Sequence, residues 1–123
     1  MQTCAIIEAD QGSAAILRHY LWHISFLEIS WSASSIQQVM DQNNSTLVDL
    51  LFVSVNDEDI LQTNLANQLL TLGKQIIIIL PVAETEIEQY LNKMLSQTPV
   101  MAYLKKPLTF EVFLQAMESF ASF

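Results

Sequence analysis

The chain has 123 residues, the length of one domain, and 51 % of them are apolar or aromatic against 15 % charged, which excludes an intrinsically disordered segment. Five Lys and Arg against 13 Asp and Glu give a net charge of −8, so the chain repels a phosphate backbone and an anionic bilayer: the expectation is no nucleic-acid binding and no membrane role. With two glycines, Gly12 and Gly73, there is no glycine-rich phosphate loop, and the single cysteine, Cys4, has no internal disulfide partner.

The chain begins with an apolar run, Thr3 to Glu8, predicted as a first strand. Neither a basic segment nor a long apolar one stands at its start, and cytoplasm is the expected compartment. After Asp10-Gln11-Gly12-Ser13 comes a helix expected to bury Ile16, Leu17, Tyr20 and Ile24, with Trp22 on the outside as a candidate contact residue. Phe26 to Trp31 is a second strand, and its Glu28 suits a sheet edge. A short helix with Ile36, Val39 and Met40 leads through Asn43 and Asn44 to Leu50-Leu51-Phe52-Val53, apolar on both faces and therefore a central strand.

Asp57-Glu58-Asp59 suit the opening of a helix with Leu61, Leu65, Leu69 and Leu72 inward, closed by Gly73 as the residue after the C-cap. Ile76 to Leu80 is a second central strand, and Glu84 to Leu95 a helix carrying Ile87, Tyr90, Leu91 and Met94 at three- and four-residue steps. Val100 to Lys105 is the last strand, and Thr109 caps the last helix. That helix has a core stripe of Phe110, Phe113, Leu114, Met117 and Ala121, beside a second apolar stripe of Val112, Ala116, Phe120 and Phe123. Residues 1–123 thus form one α/β domain. Its expected architecture is a doubly wound five-stranded parallel sheet in flavodoxin-like order 2-1-3-4-5, with helices on both faces and any site at the carboxyl ends of the strands.

Asp49-Leu50-Leu51-Phe52-Val53-Ser54-Val55 resembles the third-strand signature of bacterial response-regulator receiver domains, and Ala102-Tyr103-Leu104-Lys105-Lys106-Pro107 resembles their Y-L-x-K-P ending. The continuation Leu108-Thr109-Phe110-Glu111-Val112-Phe113-Leu114 is similar to that of LytTR-type regulators. The resemblance implies that Lys106 is the family's phosphate-facing lysine, Tyr103 its aromatic switch, and Glu8 the first of its paired acids. It also implies three losses: Ala9 stands at the second acid, Ser54 at the phosphorylated aspartate, and the switch hydroxyl falls at Leu80 or Pro81. Asp10 is the next carboxylate along.

Phosphoryl transfer to a carboxylate needs that nucleophile and a metal held by acids. Glu8, Ala9, Asp10, Ser54, Pro81 and Lys106 therefore form a degenerate phosphorylation site, with no catalytic residue, no bound metal and no cofactor expected. The implied function is a pseudo-receiver in two-component signal transduction: an interaction module that works without phosphorylation and regulates an appended DNA-binding domain. The expected partners are a second copy, bound through Val112, Ala116, Phe120 and Phe123 on the family's usual dimer face, and a sensor kinase or other signalling protein. Two alternatives stand beside this: phosphotransfer through Asp57 or Asp10, and a small molecule held between Glu8, Ser54, Pro81 and Lys106. His19 and His23 have the i, i+4 spacing of zinc ligands without a third ligand in sequence, and fit surface histidines. Ser54 has no Gly-x-Ser-x-Gly elbow around it for a hydrolase. Cys4, inside the first strand, is a small buried hydrophobe, and the resemblance at Tyr103 to Pro107 implies a cis Lys106-Pro107 bond, which the small trans preference of X-Pro bonds permits.

Overall fold

In the computed structural model, which describes residues 1–42, 46–56, 64–81 and 85–121, five parallel strands alternate with helices. The strands are β1 (Gln2–Ile7), β2 (Leu27–Ala33), β3 (Val48–Ser54), β4 (Gly73–Leu80) and β5 (Val100–Lys105). The helices are α1 (Gln11–Trp22), α2 (Ile36–Gln42), α3 (Leu65–Leu70), α4 (Thr85–Met94) and α5 (Phe110–Ala121). Strand order is β2-β1-β3-β4-β5, the expected doubly wound arrangement.

The two-residue period of a strand sorts the core into two layers. Ala5, Ile7, Leu51, Val53, Ile76, Ile78 and Leu80 face α2, α3 and α4, where Ile36, Val39, Leu65, Leu69 and Leu91 meet them. Their neighbours Cys4, Ile6, Leu50, Phe52, Ile77 and Ile79 face α1 and α5, against Leu17, Leu21, Phe113 and Met117. Burial on both sides is why β1, β3 and β4 are continuous apolar runs. Edge strand β2 carries the exposed Glu28 and an irregularity: Cys4 pairs with Ile29 while Ala5 pairs with Trp31, leaving Ser30 over and extending the strand past Trp31 to Ala33.

Local chemistry sets the helix starts. Asp10 Oδ2 accepts from Ser13 N at 2.8 Å and caps α1, and Thr109 Oγ1 accepts from Val112 N at 3.3 Å at the start of α5. At α2, Ser35 Oγ accepts from Gln38 N at 3.0 Å while Gln38 Oε1 accepts from Ser34 N at 2.6 Å, a variant of the reciprocal capping box.

Three expectations are corrected. Helix α1 buries Ala14, Leu17 and Leu21, whereas Ile16 is 48 % exposed: small Ala14 lets the helix sit close to the sheet and fixes a phase that the many apolar residues of α1 leave ambiguous. Gly73 does not terminate a helix in the left-handed region; it is the first residue of β4, and a Cβ there would lie 2.7 Å from Leu51 Cβ, so close approach of backbone to side chain is what requires glycine. In the second stripe of α5, Ala116 and Phe120 are buried in the chain's own core, with Phe120 stacked on Phe26 at 6.3 Å. That stripe therefore needs no outside partner to cover it: Val112 is its exposed member, and Phe123 lies outside the described residues. Asn43, Asn44, Asp57, Glu58, Asp59 and Leu61 lie outside them too.

Candidate functional site at the strand ends

Parallel strands end together, so the residues just past β1 to β5 meet at one rim of the sheet. There a cavity of about 180 Å³ is lined by Glu8, Ala9 and Asp10 after β1, Ser34 and Ser35 after β2, Ser54 at the end of β3, Pro81 after β4 and Lys106 after β5. All six residues singled out from sequence, Glu8, Ala9, Asp10, Ser54, Pro81 and Lys106, line this one space.

Its centre is an ion pair. Lys106 Nζ lies 2.8 Å from Glu8 Oε1, and the Glu8 side chain is 5 % exposed. The other oxygen, Oε2, accepts from Asp10 N at 3.0 Å, so both oxygens of this carboxylate have internal partners. Lys106 is positioned from its backbone as well, its N–H donating to Leu80 O at 3.0 Å, and the Lys106–Pro107 bond is cis. Asp10 turns away to cap α1, accepting from Ser13 Oγ at 2.7 Å and from Ser13 N. Those bonds, side chain then backbone, hold its carboxyl below the usual carboxylate range, with a smaller contribution from Lys106.

Where the family that the sequence resembles has its phosphorylated aspartate, at the end of β3, Ser54 presents a hydroxyl. A magnesium ion demands several oxygen ligands in octahedral array, whereas Glu8 is engaged by Lys106 and by the Asp10 amide. Among the described residues no three acidic, histidine or cysteine side chains converge as a metal site.

Tyr103 lies on β5 beside Ile78 of β4, facing α4 rather than the cavity. Burial, then the nearby Glu88 carboxylate, raises its phenol. His19 and His23 are exposed, their rings edge to face at 5.2 Å. Trp22 is 84 % exposed, and Cys4 is buried, its thiol pushed up to about 12 by desolvation and, to a smaller degree, by Glu28. Sequence reasoning missed Ser34, Ser35, Val55 and Asn56 as lining residues. For the two serines the signal was partial: the expected second strand ended at Trp31, and only its continuation to Ala33 brings Ser34 and Ser35 to the rim, where this topology places a site.

No family model matches the chain, and no curated protein sequence matches it. Solved structures do. The pilus assembly protein CpaE from Caulobacter crescentus superposes with a TM-score of 0.74 at 16 % identity over 98 % of this chain and 99 % of that one. The isolated REC domain of RcsB from Salmonella enterica gives 0.74 at 10 % identity over 98 % and 88 %. The response regulatory domain of MrkE from Klebsiella pneumoniae gives 0.71 at 19 % identity over 98 % and 95 %. At these identities the likeness is one of architecture, and the chain has the receiver-domain fold.

Proposed function

We propose that the chain is a degenerate receiver domain, a non-enzymatic interaction module in bacterial signalling whose output does not depend on phosphorylation. The observation that carries this is the Glu8–Lys106 pair: the lysine implied to face a phosphate is bonded at 2.8 Å to the one nearly buried carboxylate at the site, while Ser54 stands at the end of β3. Information would then pass through association with a second copy or another signalling protein. The LytTR-like sequence after Pro107 supports regulation of an appended DNA-binding domain. The full-length likeness to a pilus assembly protein favours a second setting, in which the same module takes a place in an assembly. Sequencing the downstream coding region for a DNA-binding domain separates the two.

The decisive experiment is incubation with acetyl phosphate and Mg²⁺ followed by intact-mass measurement, on the wild type and on Ser54→Asp. Neither is expected to gain a phosphoryl group, because Ala9 and Pro81 still stand where a metal ligand and a hydroxyl are required. Efficient labelling of the wild type, at Asp10, Asp57 or elsewhere, would overturn the reading.

A further inference from the structure

The Glu8–Lys106 pair has a second side. Away from the strand-end cavity it forms part of the wall of a larger chamber, about 440 Å³, between α1 and the connection from β5 to α5. Leu17 and Ile79 are its most buried lining residues, 2 and 3 % exposed, and Ile16 and Pro107 stand at its open side. The volume and the mostly apolar lining are those of small-molecule sites, which span roughly 300–1,000 Å³ and carry a few placed polar groups. They also account for Ile16, an aliphatic side chain left 48 % exposed on a helix whose other face is packed.

The polar groups at the chamber decide what fits. Of the charged residues that line it, Lys106 is neutralised by Glu8, so one carboxylate meets one ammonium, and the hydroxyl of Ser13, the other polar lining residue, is engaged by Asp10. An anionic head finds no uncompensated cation here, and a cationic head would compete with Lys106 for Glu8. A neutral head with both a donor and an acceptor satisfies the site as built. It accepts from Lys106, the more exposed member of the pair and an ammonium with three N–H groups, and it donates to the lone pair that Glu8 Oε1 keeps beside its contact with Lys106.

We infer that this chamber binds an uncharged amphiphile, with an apolar body beside Ile16, Leu17, Ile79 and Leu108 and a carboxamide-like head on the Glu8–Lys106 pair. Such a ligand bridges α1 and the connection from β5 to α5. The site does not depend on whether the domain accepts phosphate, so it can fail while the mass experiment succeeds, and the reverse.

The test is an amide chemical-shift titration of the 123-residue chain with three probes sharing one body: octanamide, octanoate and octylammonium. Octanamide is expected to shift Ser13, Ile16, Leu17 and Leu108 saturably, with a Kd of about a millimolar given its few heavy atoms, and the two charged probes to bind at least about tenfold more weakly. Ile16→Trp, at an exposed position, and Leu108→Trp each fill the chamber and should remove saturation while the spectrum stays folded. Absence of saturable octanamide shifts, shifts centred elsewhere, a charged probe binding equally well, or unchanged binding in both folded variants would each overturn the assignment.

Discussion

Lys106 and Glu8, nearly a hundred residues apart in sequence, close the sheet rim from β5 back to β1 with a single 2.8 Å contact. The Glu8 side chain is almost fully buried and the Lys106 side chain 24 % exposed, so the pair is neither a surface bridge of negligible worth nor a fully desolvated one. Removing one partner leaves the other in a poorly solvated place. Lys106→Met should therefore destabilise the fold by about 2 kcal/mol at neutral pH, more than the paired replacement Glu8→Gln with Lys106→Met. Urea denaturation of the four proteins of this cycle measures the coupling; a value near zero would mean that the pair contributes nothing to the fold.

At the opposite end of the sheet, Asp49 Oδ2 accepts from Thr3 N at 2.9 Å and from Thr3 Oγ1 at 3.3 Å, while Oδ1 lies 3.4 Å from Lys74 Nζ. The Thr3 amide bond chiefly, then the bonds from Lys74 and Thr3 Oγ1, hold its carboxyl below the usual carboxylate range against the opposing effect of burial. A group depressed on folding binds fewer protons in the folded state than in the unfolded one between its two pKa values. Its stabilisation is therefore complete above the unfolded value of about 3.9 and is lost as pH falls through the folded value. Asp49→Asn should cost about 1 kcal/mol at neutral pH, with a difference from wild type that shrinks as the solution is acidified below about pH 4. Urea midpoints from pH 2 to pH 7 check both the size and the sign.

The sheet was legible in the sequence because its signal is redundant: every residue from Ile76 to Leu80 is apolar, and both faces of that strand are buried. Convergence of Glu8, Ser54, Pro81 and Lys106 followed from topology, since parallel strands bring their carboxyl ends together wherever those residues lie in the chain. Side-chain phase was less legible. Ile16, Leu17, Tyr20 and Leu21 spread apolar candidates over an arc of about 140° on α1, and which of them turns inward depends on how close Ala14 lets the helix come. Phe120 shows the same weakness: a second apolar stripe suggested an interface, yet Phe26, outside any helix, stacks on it from within the same chain. The chamber beside Ile16 had no sequence signal, because it arises from the spacing between α1 and a connection some ninety residues later.

Gly73 gives a test of packing. With Leu51 fully buried, a methyl group at Gly73 meets Leu51 Cβ at 2.7 Å, and neither strand can retreat without breaking the ladder between β3 and β4. Gly73→Ala should lower stability by about 1–3 kcal/mol, seen as a lower urea midpoint at unchanged slope. A variant as stable as wild type would show that the two strands separate more easily than their mutual burial implies.

Self-association is expected on the face of α4, β5 and α5, the surface that the receiver resemblance marks for dimers. Tyr90 on α4 and Val112 on α5 are 52 and 39 % exposed there, and Lys105 on β5 holds Glu88 of α4 at 3.2 Å, so the face carries apolar area together with both signs of charge. Phe120 is unsuitable for testing it, because a charge at this core position would unfold the domain before it reported on association. Tyr90→Glu and Val112→Glu change solvent-facing positions instead, and introduce repulsion that a two-fold contact meets twice. Sedimentation equilibrium should show a wild-type dimer with a Kd on the order of micromolar, and the double variant should be monomeric at about 100 times that concentration, with a urea midpoint equal to that of the wild type when both are compared well below the Kd. A wild type that stays monomeric across that range, or a variant that dimerises equally well, would remove this face as the route by which the domain passes on its signal.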